Sequence, residues 1–188
     1  GWLGVGRGGV RSGGGAPGGR AAINPPGPAT GDRCPGCGWD APLTPWARIE
    51  AMEVVNGAVV EGPTAGMPMW YAKLNQGYRM TGVGGSDDHA VRPGGRVGSP
   101  ATVIFARELS EAALLDGLPS GRVYVRTRGP EGPVLDLTPS ADGQTVGMGG
   151  SLHPAAGQPL RLALRVERAA APPRRIGRNG AVMAATRV

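Results

Sequence analysis

The chain has 188 residues, which is enough for one ordinary domain, or for one small domain and part of another. It contains 35 glycines and 19 prolines, and because half of residues 1–20 are glycine we predict a disordered head there and a folded remainder. The net charge of +6 comes from arginines in residues 1–31 and 168–188, which contain no acidic residue. The middle of the chain is slightly acidic, so nucleic acid is not an expected partner.

The sequence has no apolar run long enough for a transmembrane helix and no N-terminal pattern typical of a signal peptide. We therefore expect no membrane partner. The sequence does not determine the cellular compartment, and the cytoplasm is the default expectation. Because the chain starts at Gly1 and not at methionine, we also expect it to be a piece of something longer.

After the head, residues 21–23 predict the end of a short strand, which the prolines of residues 24–28 terminate. A long loop follows and contains Cys34 and Cys37 in a single Cys-x-x-Cys pair. One pair cannot supply the four ligands of a structural zinc site, and the Gly/Pro-rich surroundings are not those of a redox helix. We expect both cysteines to lie in a loop, and their role stays open.

Two strands joined by a helix are predicted next. Residues 49–57 read as a buried strand that ends on an Asn-Gly turn and delivers Glu53 and Asn56 to a loop. Residues 63–77 carry apolar side chains at spacings of three and four, which predicts an amphipathic helix. Residues 78–83 predict the second strand, so the unit is expected to be parallel.

The rest of the chain divides into two patterns. Residues 102–106 predict a strand and residues 111–118 a helix capped by Ser110, together the last αβ layer of a larger sheet or barrel. From residue 119 onward, period-two alternation predicts an antiparallel β unit with a basic tail, in which Leu160, Leu162, Leu164 and Val166 share one face. An Asn-Gly pair at residues 179–180 predicts a closing hairpin. The predicted division is therefore 1–20, 21–118 and 119–188.

The chemistry is concentrated directly after the strand at residues 78–83. In an extended chain residues i and i+2 point the same way, so Asp87 and His89 would face one point, and a carboxylate beside an imidazole suits a divalent metal. The same residues also fit a Gly/Ser/Asp turn with a solvated histidine. His153 precedes a proline in a turn and is not expected to be a ligand.

Several blocks, in order, resemble the C-terminal part of the PHP-domain metal-dependent hydrolases of the CehA/McbA type. Residues 22–26 are similar to the family's Asn-His-Pro block, 49–57 to its Ile-Glu-Val-x-Asn-Gly strand and 84–89 to its Gly-Ser-Asp-x-His block. Residues 121–125 and 178–180 are similar to its closing strand and hairpin. The resemblance implies an α/β fold, with the last strands of a distorted (β/α)7 barrel followed by a small antiparallel β-sandwich-like unit.

The resemblance also implies a phosphoesterase-like activity. Zinc, manganese or iron ions would activate a water for attack on a small-molecule phosphoester, or on a related ester or carbamate. By position, Asp87 and His89 match the last two metal ligands, and Glu53, Asn56 and Asp88 would lie around them.

The chain departs from the family pattern at its start. Pro25 stands where the family has a histidine, and the family's opening His-x-His has no counterpart here. We therefore expect a truncated or degenerate member with an incomplete metal site, weak metal binding and a missing N-terminal segment as partner. The alternative is a non-catalytic β-rich binding or structural module.

Overall fold

A computed structural model describes residues 2–4, 20–24, 39, 42–57, 59–60, 65–89, 93–169 and 174–186. This part of the chain is mixed α/β, with many strands and two α-helices. Its strands form four open sheets, and none of them closes into a barrel within the described ranges. Neither described helix has the length and apolar character needed to cross a membrane.

The largest sheet has four parallel strands. They are β1 (Trp2–Gly4), β2 (Arg20–Ile23), β3 (Ala51–Asn56) and β4 (Thr81–Gly85), in that order across the sheet. Helix α1 (Met67–Asn75) joins β3 to β4. The predicted parallel strand–helix–strand unit is therefore confirmed.

The core lies between this sheet and α1. Strand β3 is buried along nearly its whole length, because strands flank it on both sides and both of its faces are covered. Its Met52 joins a buried cluster with Ile23, Ile49 and Met80. From α1, Trp70 packs on this cluster and its Nε1 donates a hydrogen bond to the carbonyl oxygen of Met80, 2.9 Å away, which ties the helix to the start of β4.

The next two strands differ from the prediction. Strand β5 (Ala101–Ile104) does not extend the parallel sheet but pairs antiparallel with β6 (Val123–Arg126). Between them lies α2 (Glu111–Gly117), where the Ser110 hydroxyl accepts the amide hydrogen of Ala113 at 3.2 Å, so the predicted cap is confirmed. The β5–β6 pairing spans the boundary that we predicted between residues 118 and 119.

The C-terminal strands form a three-stranded antiparallel sheet and a separate hairpin. The sheet has the order β8 (Gln144–Thr145), β7 (Val134–Ala141), β9 (Arg161–Glu167). The predicted hairpin is confirmed as β10 (Arg174–Arg178) and β11 (Ala181–Thr186), with positive φ at both central turn residues, as a type I′ turn requires.

The hairpin turn contacts α1, where the Asn75 side chain donates to the carbonyl oxygen of Asn179 at 3.3 Å. The apolar face of β9 is open, since Leu162 and Leu164 are 39% and 38% exposed, and Leu160, directly before the strand, is 52% exposed. The sandwich-like packing implied by the resemblance is therefore not seen over this strand in the described part of the chain.

Some predictions fall outside the described residues. They concern the cysteine loop with Cys34 and Cys37, the position of Pro25, and most of the glycine-rich head. Within that head, residues 2–4 form β1, so at least this short piece is a strand paired with β2.

Candidate functional site

The candidate site lies where β3 and β4 end. Because the strands are parallel, their carboxyl ends meet at one edge of the sheet, which brings Glu53 and Asn56 of β3 close to residues 86–89 after β4. The β3–β4 register shifts between Glu53 and Val55. Such bulges bend a strand locally and re-aim its side chains, and they are common beside functional sites.

Asp87 and His89 are brought together, as predicted, but not by an extended chain. Asp87 Oδ1 lies 3.2 Å from His89 Nε2. Strand β4 has already ended at Gly85, and Asp87 has a φ of 52°, in the left-handed region that aspartate tolerates better than most residues. The pair therefore sits on an irregular segment directly after the strand, so the two side chains lie close together without the extended backbone that we predicted. Both side chains are accessible, with 87% of His89 and 55% of Asp87 exposed.

The spacing of the pair fits two adjacent ligands of one metal ion. Two donors that are each about 2.1 Å from an ion lie about 3.0 to 3.4 Å apart in octahedral or tetrahedral geometry. The observed separation falls within that range. Among the described residues, however, no group of three or more His, Cys, Asp or Glu side chains converges on one point. This part of the chain thus offers two protein donors and leaves the other coordination positions to water or substrate.

Glu53 forms the buried side of the site. It is only 7% exposed, and the Asn56 side-chain amide donates to its Oε2 at 3.1 Å. Burial raises the pKa of Glu53, the Asn56 hydrogen bond opposes this, and the negative charge of Asp87 raises it further. Gly85 leaves the space that the carboxylate occupies, since a Cβ there would lie 2.8 Å from Glu53 Oε1. Glu53 is therefore coupled electrostatically to Asp87.

Asp88 has a structural part in the same site. Its Oδ2 accepts the backbone amide hydrogen of Arg96 at 2.6 Å, and its own amide donates to the Ser86 hydroxyl at 3.4 Å. These contacts fasten residues 86–89 to the turn at residues 93–96. The two segments line an open cleft of about 370 Å³.

Arg96 is a residue of the cleft that the sequence did not single out. It lines the cleft together with Asp87 and His89. Nothing in the sequence distinguishes it from the other basic residues, because its segment is held at the site through its backbone, by the hydrogen bond to Asp88. The second histidine, His153, lies exposed on a different loop.

Comparison of the chain with protein-family models, with curated proteins and with solved structures finds no match. The function has to be inferred from the chemistry of the site.

Proposed function

We propose that this chain is a degenerate metal-dependent hydrolase of the PHP type, with Asp87 and His89 as metal ligands. The observation that carries the proposal is the 3.2 Å separation of their donor atoms at the carboxyl end of β4. The order of the sequence blocks around them supports it.

The residues of the cleft would have different roles in the reaction. Asp87 supplies an anionic oxygen and His89 a neutral nitrogen, a donor pair suited to zinc, manganese or iron. When bound, such an ion supplies an activated water and polarises the ester bond. Arg96, on the other wall, is suited to hold the oxygens of a phosphoester, because a guanidinium matches phosphate geometry.

Glu53 and Asn56 lie on the buried side of the site and support its geometry. The hydrogen bond from the Asn56 amide fixes the Glu53 carboxylate at the buried end, where the negative charge of Asp87 contributes to the raised pKa of Glu53. With two protein ligands among the described residues, we expect weak metal binding.

The test is a calorimetric titration of the whole chain with Mn²⁺ and with Zn²⁺ at neutral pH. Asp87→Asn and His89→Ala should each weaken binding about tenfold or more, as loss of one of two ligands implies. Asp142→Asn is a matched control, because Asp142 is also an exposed aspartate with positive φ, at 51°, on a turn far along the chain. The proposal would be wrong if the chain bound no metal, or if Asp87→Asn and Asp142→Asn weakened metal binding equally.

Hydrolysis is tested separately with a chromogenic aryl phosphate. Metal-dependent turnover that disappears in Asp87→Asn supports an active hydrolase. Metal binding without turnover identifies a degenerate member whose site no longer catalyses.

A second candidate is the non-catalytic β-rich module. The observation that favours it is the open apolar face of β9, since an exposed patch of this kind commonly marks an interaction surface. It is supported if the whole chain binds no metal and yet has a partner that contacts β9.

A further inference from the structure

The outer edge of β9 is a long strand edge with no described partner. On one side β9 pairs with β7 over all seven of its residues, and no strand in the described part of the chain pairs with it on the other. Proteins commonly protect such edges with charged side chains, a proline, a bulge or a very short strand, and the charges of β9 are of both signs and lie on one face only. The register of β9 shows no bulge and its sequence contains no proline. By contrast, β8 has two residues and the β10–β11 hairpin has a bulge.

We propose that β9 pairs antiparallel with β9 of a second copy of this chain, about a two-fold axis at Leu164. Leu164 is the middle residue of the strand, so pairing there engages all seven residues. The unpaired amide and carbonyl groups of each edge then satisfy those of the other.

The side chains of β9 are complementary to themselves in this register. The two-fold axis is normal to the sheet and passes between the two copies of Leu164. A residue that lies a given number of positions before Leu164 is therefore opposite the partner's residue that lies the same number of positions after Leu164. On the apolar face, Leu164 meets the partner's Leu164 and Leu162 meets the partner's Val166. On the opposite face, Arg161 meets the partner's Glu167, which makes two pairs of opposite charge per dimer.

Neighbouring registers lack this complementarity. An axis at Ala163 would place Arg161 opposite the partner's Arg165, and an axis at Arg165 would place that arginine opposite its own copy. Like charges directly opposite each other destabilise a strand pair. An axis at Val166 also brings opposite charges together, Arg165 with the partner's Glu167, but it pairs only residues 165–167 of the strand. Charge and the length of the ladder together therefore favour the register centred on Leu164.

The apolar face formed by β7 and β9 extends to the outer edge of β9. Across the β7–β9 ladder, Leu164 pairs with Leu137, Leu162 with Pro139 and Val166 with Leu135. Leu162 and Leu164 are still 39% and 38% exposed, so pairing at the edge covers apolar surface that β7 alone leaves open. The geometry thus gives the association both backbone hydrogen bonds and apolar contact.

The first test exchanges the charges and measures self-association of the whole chain by analytical ultracentrifugation. The wild type should self-associate reversibly. Arg161→Glu and Glu167→Arg should each weaken the dimer about tenfold or more, because both charge pairs become repulsive. An equimolar mixture of the two variants should restore association, since every cross pair is again Glu with Arg. A monomeric wild type, or variants that associate as well alone as mixed, would overturn the proposal.

The second test fixes the register by cross-linking and does not depend on charge. With Cys34 and Cys37 replaced by serine, Leu164→Cys places two thiols directly opposite each other, at about the 4.5–5.5 Å typical of Cβ atoms in such pairs. Ala163→Cys is the matched control, because residue 163 is offset from its own copy by two positions. Faster oxidation to a dimer at residue 164 supports the register, and equal rates at the two positions contradict it.

Discussion

Glu53 is a buried carboxyl whose pKa is raised by its surroundings, chiefly by burial. Such a group binds its proton more tightly in the folded protein than in the unfolded chain, so it lowers the free energy of unfolding as the pH rises above the ordinary pKa of 4.5. Glu53→Gln removes this dependence and still accepts the hydrogen bond from Asn56. We expect the variant to be more stable than the wild type at neutral pH and equally stable well below pH 4.5, as measured by urea unfolding across pH.

An exposed glutamate provides the control for this experiment. Glu131→Gln, on a short 3-10 turn, should change the free energy of unfolding by less than about 0.5 kcal/mol, because that side chain is exposed. If Glu53→Gln destabilised the protein at neutral pH, the carboxylate would be making a favourable contact that outweighs its burial.

The sequence predicted which residues lie close together at this edge of the sheet better than it predicted the backbone geometry that brings them there. The proximity of Asp87 and His89 follows from their separation of two along the chain, but the left-handed backbone at Asp87 does not. The hydrogen bond between Asn56 and Glu53 depends on a bulge, which arises from strand pairing and not from local sequence. Arg96 enters the site through a backbone contact, which no side-chain pattern could indicate.

At the scale of elements, the position of α1 depends on the absence of a side chain at Gly66. The φ of Gly66 is −71°, which any residue can adopt, but a Cβ there would overlap the Glu53 carbonyl oxygen and lie 2.9 Å from Val54 Cα. Gly66→Ala should therefore push the start of α1 away from β3 and destabilise the protein by about 1–3 kcal/mol. The measurement is urea unfolding followed by tryptophan fluorescence, to which Trp70 on α1 contributes.

Gly147→Ala is the control, because a Cβ at that position meets nothing within 4 Å and the backbone there is not left-handed. It should change stability by less than about 0.5 kcal/mol. Equal stabilities of the two variants would mean that α1 does not pack on β3 as described.

The elements themselves were predicted well where the pattern is periodic and local. The β3–α1–β4 unit and the closing hairpin follow from apolar spacing and from an Asn-Gly turn. The partner of β5 could not be predicted, because a short apolar run is compatible with a parallel or an antiparallel neighbour. In the structure the Thr102 hydroxyl donates to the carbonyl oxygen of Gly84 at 2.8 Å and accepts its amide hydrogen at 2.9 Å. A side chain, and not a backbone ladder, thus links β5 to the parallel sheet.

At the scale of the whole molecule, residues 119–127 are bound to the preceding part of the chain. The β5–β6 ladder pairs residues 101–104 with 123–126. Tyr124 is 9% exposed and lies against Phe105, with ring centroids 5.9 Å apart. The Thr81 hydroxyl also donates to the carbonyl oxygen of Leu118. A cut before residue 119 therefore separates β6 from its hydrogen-bonding partner, whereas a cut before residue 99 keeps the ladder intact.

This difference predicts the behaviour of two fragments. In residues 119–188 alone, the amides of β6 should lose at least about tenfold in hydrogen-exchange protection relative to the whole chain, because the strand has lost its ladder and Tyr124 its cover. Residues 99–188 should regain that protection, since they restore β5 and Phe105. The β7–β9 ladder serves as internal reference, because both of its strands are present in both fragments. Equal protection of β6 in the two fragments would mean that the strand is held from its C-terminal side, and that the boundary predicted at residue 118 is the better division of the chain.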